Sequence, residues 1–413
     1  MENEEIYYGS FSRQIEIPQF SETIDNYRNI VKWGVDNLYC QYLLSLYDKS
    51  PLHNAILNKK IRMIGGSGFL KNNLNEHTTA FIRNVWGEDD MECILQKISF
   101  DLEMFGSFTL MVVWSKDRKR IAKIEYVNRA NVRVIPSDDE KDIVGFDVSE
   151  GWHNTRKYTA DRYSPFSAKD REDACQILYV KGDMNDNDWN GRPSYLSIVN
   201  YIESQYGISE FILNDISNGF SAQLQVDTKI TNASRDQKQA IVDNYKAQFE
   251  GEKGWRTVYT FSPVGSEQTS FIPIPKDTTS EMFVNVNESI SKNILQGHGI
   301  KPILVTETPG SLGSRNEILE ATELFQCDYI EPKQYLIETI LNKLCKLSFP
   351  GQVTDQIIIK RYSDNYVTVN TNMDEIVKLL SSSLTAEQKY EILVMNGYTE
   401  DKAARLSGIQ KIN

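Results

Sequence analysis

The chain has 413 residues and a mass of 47.4 kDa, with 45 basic residues against 57 acidic ones, a formal net charge of −12 and 40% hydrophobic residues. That length and apolar content predict two or three domains with a sizeable core and exclude wholesale disorder. The acidic balance excludes a protein that coats nucleic acid through general positive charge.

The five cysteines, Cys40, Cys93, Cys175, Cys327 and Cys345, have no C-x-x-C spacing, so free thiols are expected rather than a zinc or redox site. The start Met-Glu-Asn-Glu-Glu lacks the basic region of a secretory signal, and no apolar run approaches the ~20 residues that span a bilayer. A soluble, intracellular chain with no membrane contact is the expectation.

In chain order, residues 1–49 are polar and aromatic-rich and are expected to be an N-terminal arm. Ser50-Pro51 opens a helix that Gly65-Gly66 stops, and Met91, Ile94, Leu95, Ile98, Leu102 and Phe105 mark the apolar face of a second. From 107 to 181 the pattern becomes short strands: 108–114, 121–127, 132–135, 143–148 and 176–180. The basic cluster Lys116 to Arg120 falls between the first two and is expected to be a solvated hairpin tip.

A polar loop, 183–193, precedes a long helix over 195–220 with apolar residues every three or four positions. A small α/β unit over 221–277 follows, whose helix opens with the Ser234/Gln237 capping pair between strands at 223–226, 255–261 and 269–274. A second long helix covers 278–298 and opens with Thr278 and Glu281. After a glycine-bearing loop, about 305–313, a helix opening with Ser314 and Glu317 runs to 348, with Pro332 expected to kink it. A strand at 356–360, a β-like run at 366–369 and short helices beginning at Asp374 and Thr385 complete the chain.

Chemistry is sparse. His53, His77, His153 and His298 are scattered, the glycine-rich stretches lack the G-K-[ST] of a phosphate loop, and no nucleophile elbow or H-E-x-x-H pair occurs. Asp186 to Gly191 matches the first half of a calcium loop, but Ser197 stands where the bidentate Glu is required. No catalytic residue, metal or cofactor is expected.

The order of segments resembles the portal proteins of tailed double-stranded-DNA bacteriophages. Ser50–Asn58, Phe105–Met111, Tyr126–Val134, Gln176–Val180 and Asn190–Tyr195 are similar to that family's wing. Phe211–Gln223 and Phe283–Leu295 are similar to its two stem helices, and Leu224–Pro275 to its clip. Gly299–Leu304, Ser314–Glu317 and Ile330–Pro332 are similar to the segments around its tunnel loop and tunnel helix. The match spans about residues 50 to 348.

The resemblance implies an α+β portal fold: a wing over 50–194, stem helix 1 over 195–220, a clip over 221–277, stem helix 2 over 278–298 and a second wing part over 299–370. That second part would hold the tunnel loop (305–313) and kinked tunnel helix (314–348), and 371–413 would form a short helical crown. It further implies a non-enzymatic ring, usually of twelve copies, at one vertex of the virion capsid, assembled in the host cytoplasm. Non-specific double-stranded DNA would be pumped through it by a separate terminase whose large subunit hydrolyses ATP, then retained and released to the tail. Other partners would be the major capsid and scaffold proteins and a head-tail adaptor.

In that frame the tunnel-loop contacts would be Thr306, Thr308, Pro309, Gly310, Ser311, Leu312, Gly313, Ser314 and Arg315, with Lys292 and Lys301 nearby. The inter-subunit stem would use Tyr206, Leu213, Ile216, Phe283, Val286 and Ile290, and Trp255 and Tyr259 would anchor docking at the clip. The alternatives are a metal-dependent nuclease using Asp183, Asp186 and Asp188, or another ring or adaptor component of the virion.

Overall fold

The computed structural model describes residues 17–70, 74–87, 89–139, 142–152, 159–182, 188–217, 224–229, 234–249, 257–262, 279–305, 315–362, 385–395 and 400–408. It is α+β, as the sequence predicts, and divides into two compact units. One comprises 1–17, 42–56 and 194–307, and the other 18–41, 57–193 and 308–413.

The second unit is built on a six-stranded sheet. Its strands are β3 (Ser107–Trp114), β4 (Ile121–Val127), β5 (Val132–Pro136), β6 (Ile143–Val148), β7 (Asp161–Pro165) and β8 (Cys175–Lys181), in the order β4-β3-β8-β7-β6-β5. Every neighbouring pair is antiparallel except β7 with β8. Five of these strands coincide with the predicted runs to within a residue or two. Strand β7, Asp-Arg-Tyr-Ser-Pro, carries no apolar alternation and was not legible.

The expected arm is instead structured from residue 18 onward. It forms the hairpin β1 (Glu22–Asp25) and β2 (Ile30–Trp33), then helix α1 (Tyr39–Lys49). Val31 packs with Val132, Val134, Phe146 and Ile177, and Ile30 packs with Ile135 and Trp152.

Two fully buried arginines explain the need for this segment. Arg129 donates to Ser107 Oγ (2.9 Å), the Val132 carbonyl (2.8 Å) and Asn190 Oδ1 (2.5 Å), and stacks on Trp33 and Tyr179. Arg133 donates to Asn37 Oδ1 and to the Asn37 carbonyl. A buried guanidinium costs several kcal/mol unless its donors are satisfied, and residues 33–37 supply part of that shell.

Helices α2 (Pro51–Gly65), α3 (Glu76–Asn84) and α4 (Met91–Phe105) follow. Asn75 and Asp90 cap the latter two by accepting backbone N–H groups from Thr78 and Cys93. Helix α4 ends at Gly106 in the left-handed region (φ 70), where a Cβ would stand 2.4 Å from the Arg192 carbonyl, so only glycine fits. The predicted strand at 356–360 is reduced to one bridge, Ile359 with Phe69. Asn342 and Glu338 take up the neighbouring backbone N–H groups of Ile357 and Ile359 instead.

In the first unit, α5 (Val199–Ser217) and α7 (Thr279–Gly297) flank β9 (Leu224–Lys229), α6 (Arg235–Phe249) and β10 (Thr257–Ser262). Strands β9 and β10 pair in parallel with α6 between them in sequence, a βαβ crossover. The Ser234/Gln237 capping box forms reciprocally. The run 269–274, the Thr278 cap, the β-like run 366–369 and the Asp374 start lie outside the described residues. The tail shows α10 (Ala386–Met395), opened by the Thr385/Gln388 box, and α11 (Glu400–Ser407).

Candidate functional site

Within the described residues the paired long helices expected over 195–220 and 278–298 run from 199 to 217 and from 279 to 297. A 3-10 turn, Leu196–Ile198, leads into α5. Ile202 on α5 and Ile290 and Ile294 on α7 are buried. At Gly297 a Cβ would lie 2.1 Å from Ile198 Cγ2, so the glycine lets the end of α7 press against the start of α5.

Below this seam sits a polar cluster that linear spacing hid. His53, at the start of α2, and His298, just past α7, share a hydrogen bond between Nδ1 and Nε2 (2.9 Å), and both are buried. The Tyr195 ring meets His53 edge-on at 4.6 Å. Ser50 Oγ donates to Gln205 Oε1 (2.5 Å), and Lys49 lies over the Tyr206 ring. The histidines scattered in the sequence thus include a pair that joins the start of α2 to the residue just past α7. Only the folded chain brings positions 53 and 298 together.

Farther along, the helices expose apolar side chains. Leu213 is 63% exposed, Val284 56%, Phe211 and Ile212 43% each, and Val286 40%. Phe211, Ile212 and Leu213 are consecutive, so they point about 100° apart around the axis. A neighbour on one side cannot cover all three.

Of the residues assigned to a subunit interface, Leu213 and Val286 lie in this exposed set. Ile290 does not: it is 8% exposed within the single chain. A 3.6-residue stripe shows that a face is covered and not by which partner. Tyr206 is half-buried under Lys49, and the side chains of Ile216 and Phe283 lie outside the described residues. Phe211, Ile212 and Val284 were missed because they fall off the main stripe.

The loop residues Thr306, Thr308, Pro309, Gly310, Ser311, Leu312, Gly313 and Ser314 lie outside the described residues, as do Trp255, Asp183 and Asp186. Arg315 begins helix α8 (Arg315–Phe325), Lys292 and Lys301 are exposed, and Tyr259 lies on β10. After α8 comes a π turn, Gln326–Ile330, and then α9 (Glu331–Ser348). Pro332 lacks an N–H and its ring would strike the Asp328 carbonyl in an α-helix. The interruption expected there takes the form of this wider turn just ahead of it.

The π turn is fastened by buried polar groups. Glu103 accepts from Lys333 and from the Tyr329 hydroxyl (2.8 Å), with Lys60 Nζ at 3.9 Å and over the Tyr329 ring. Burial pulls the Lys60 amine down to about 8. Gln326 donates to Gln334, which donates to the carbonyls of Met63 and Ile64 at the end of α2.

In the second unit a cleft of about 580 Å³ is lined by Phe20, Glu22, Ile24, Trp189 and Arg192 among others. Its charges are engaged: Glu22 accepts the N–H groups of Trp189 and Asn190, and Arg192 pairs with Asp188. Asn190, in the calcium-loop lookalike, is a partner of Arg129. Among the described residues no group of three or more His, Cys, Asp or Glu could hold a metal ion, and no helix is long and apolar enough to cross a membrane.

No family profile and no curated protein matches the sequence. Solved structures do match. A chain from the neck of an empty gene transfer agent particle, computed with C6 symmetry, superposes with a TM-score of 0.55 at 12% identity, covering 87% of this chain and 94% of that one. A chain from the neck of the native particle, computed with C12 symmetry, gives 0.54 at 13%, covering 92% and 96%. The chain has the fold of these neck chains. An HK97-family phage portal protein from Corynebacterium diphtheriae overlaps more loosely, with a TM-score of 0.47 at 10% identity and coverage of 76% and 95%. At such identities the neck-chain likeness is one of fold, and it extends over both compact units.

Proposed function

We propose that this chain is a phage-type portal protein, a ring-forming channel component of a virion. The observation that carries the reading is the run Phe211-Ile212-Leu213, exposed around the stem helix of a chain with the fold of sixfold and twelvefold neck reconstructions. A helix with apolar surface on several sides suits a position between two neighbours, as a head-to-tail cyclic interface provides.

In this reading genomic double-stranded DNA passes through the ring during packaging and ejection, driven by a separate terminase. The chain's charge of −12 keeps the channel from binding its cargo tightly, while salt screens repulsion beyond ~8 Å. The loop Thr306 to Ser314 would brush the duplex, with Arg315, Lys292 and Lys301 as its few phosphate contacts. The unit carrying β9, α6 and β10 would dock the terminase large subunit and later a head-tail adaptor, using Trp255 and Tyr259. The major capsid and scaffold proteins would surround the other unit.

The direct test is the particle mass and image of the purified protein. Twelve copies give about 569 kDa from 47.4 kDa each. A protein that stays at 47.4 kDa at every concentration, with virions that fill without it, overturns the reading.

A further inference from the structure

Two hairpin tips of the six-stranded sheet share one construction and carry opposite charge. In the β3–β4 tip, Ser115 N–H donates to the Arg120 carbonyl (2.9 Å) and Arg120 N–H to Ser115 Oγ (3.2 Å), while Ser115 Oγ donates to Asp117 Oδ1 (2.6 Å). In the β5–β6 tip, Ser137 N–H donates to the Asp142 carbonyl (2.8 Å) and Asp142 N–H to Ser137 Oγ (3.0 Å), while Ser137 Oγ donates to Asp139 Oδ1 (2.5 Å). In each, one serine and the aspartate two positions on close the turn.

The turn therefore makes no demand on the other charges, yet these are mirrored. The sequence 115–120 holds four cations and one acid, net +3, whereas the described residues of the second tip, 137–139 and 142, hold three acids and no cation, net −3. Lys116, Lys119 and Arg120 are exposed, as are Asp138 and Asp142. The basic tip is also held rigid. Arg171 stacks on Trp114 (4.4 Å) and donates to the carbonyls of Arg118 and Lys119 (2.9 Å each).

Their places in the sheet are diagonal. Strands β4 and β5 are its two edges. β3 is antiparallel to β8, β8 parallel to β7, and β7 antiparallel to β6, so β3 and β6 point the same way. The turn after β3 and the turn before β6 consequently lie at opposite ends as well as toward opposite edges. A surface whose two complementary halves sit on opposite flanks cannot satisfy itself within one copy, and it is suited to a heterologous contact with the next.

We propose that the basic 115–120 tip of one subunit meets the acidic 137–142 tip of a second copy of this chain and sets the direction of the ring. This rests on the ring reading above. The chain's other candidate partner of opposite sign, the phosphate backbone of DNA, accounts for the basic tip alone and leaves the acidic twin unexplained.

The test is a charge exchange at equivalent turn positions in the full-length protein, leaving Asp117 and Asp139 in place. Lys116→Glu with Arg120→Glu, and separately Asp138→Lys with Asp142→Lys, should each raise the half-assembly concentration about tenfold at 50 mM salt, with a smaller effect at 0.5 M. Combining all four should return assembly to within about threefold of the parent, since opposed signs are restored. The neutral pair Lys116→Gln with Arg120→Gln should fall between. Single-tip variants that assemble like the parent, or a combined variant no better than the worse single one, overturn the proposal and leave the ring reading standing. Unchanged assembly with weakened DNA binding would assign the basic tip to phosphate instead. A parent that never assembles refutes the ring itself.

Discussion

Leu213→Asp is the sharpest perturbation of the stem. Leu213 is 63% exposed within one chain, so the substitution removes little of the packing that folding of the monomer uses. In a ring the same side chain would be covered by a neighbour. Burying its exposed part, about 110 Å², is worth about 3 kcal/mol per subunit at 25 cal/mol/Å². An aspartate at the covered position adds the cost of desolvating a carboxylate, a few kcal/mol more. Each subunit contact should thus weaken by at least two orders of magnitude. Phe211, Ile212, Leu213, Val284 and Val286 together expose about 400 Å² of apolar surface, an upper bound of about 10 kcal/mol per subunit, so one charged substitution removes a large share. Mass photometry across a concentration series reads ring against monomer, and thermal unfolding of the monomer serves as the folding control. Full-size rings at the parent's concentration would refute the claim that this face is shared between copies. Ile290→Asp, by contrast, should destabilise the monomer itself, because Ile290 is buried within one chain.

Four further outcomes are expected. Asp101 is buried in α4, and desolvation pushes its carboxyl up to about 7 from 3.8. The folded state therefore holds a proton the unfolded chain has lost between pH 4 and 7, and stability falls as pH rises through that window by about 4 kcal/mol. Asp101→Asn should flatten this slope in denaturant titrations from pH 4 to 8, and an unchanged slope would discount the buried carboxyl. Glu103→Gln leaves Lys60 and Lys333 facing each other with no counter-charge and should cost about 3–5 kcal/mol in the same assay. Gly297→Ala sets a methyl 2.1 Å from Ile198 Cγ2 and should cost about 1–3 kcal/mol; parental stability would show that the seam can yield. Deleting Pro309 to Leu312 should leave rings intact and lower packaged DNA per particle, and normal packaging would remove the loop from the channel.

What could be read from the residues was whatever local periodicity and turn chemistry dictate. The face of α4, five strands of the sheet, and the capping boxes at Ser234 and Thr385 depend on neighbours within a few positions, and each was legible. The mirrored charges of the two hairpin tips are also written in the sequence, but their common turn and diagonal placement are not.

Tertiary structure decided the rest, because burial is a property of pairs distant in sequence. Residues 18–49 look like a polar arm until Arg129 and Arg133 require partners and the sheet requires Val31. His53 and His298 meet only because the start of α2 and the end of α7 fall in the same unit. Ile290 and Leu213 both recur at helical spacing in their helices, and only the fold determines that the first is covered inside the chain while the second stays exposed. Sequence fixes where apolar side chains recur along a helix; the fold alone chooses which of them find their cover within the same molecule.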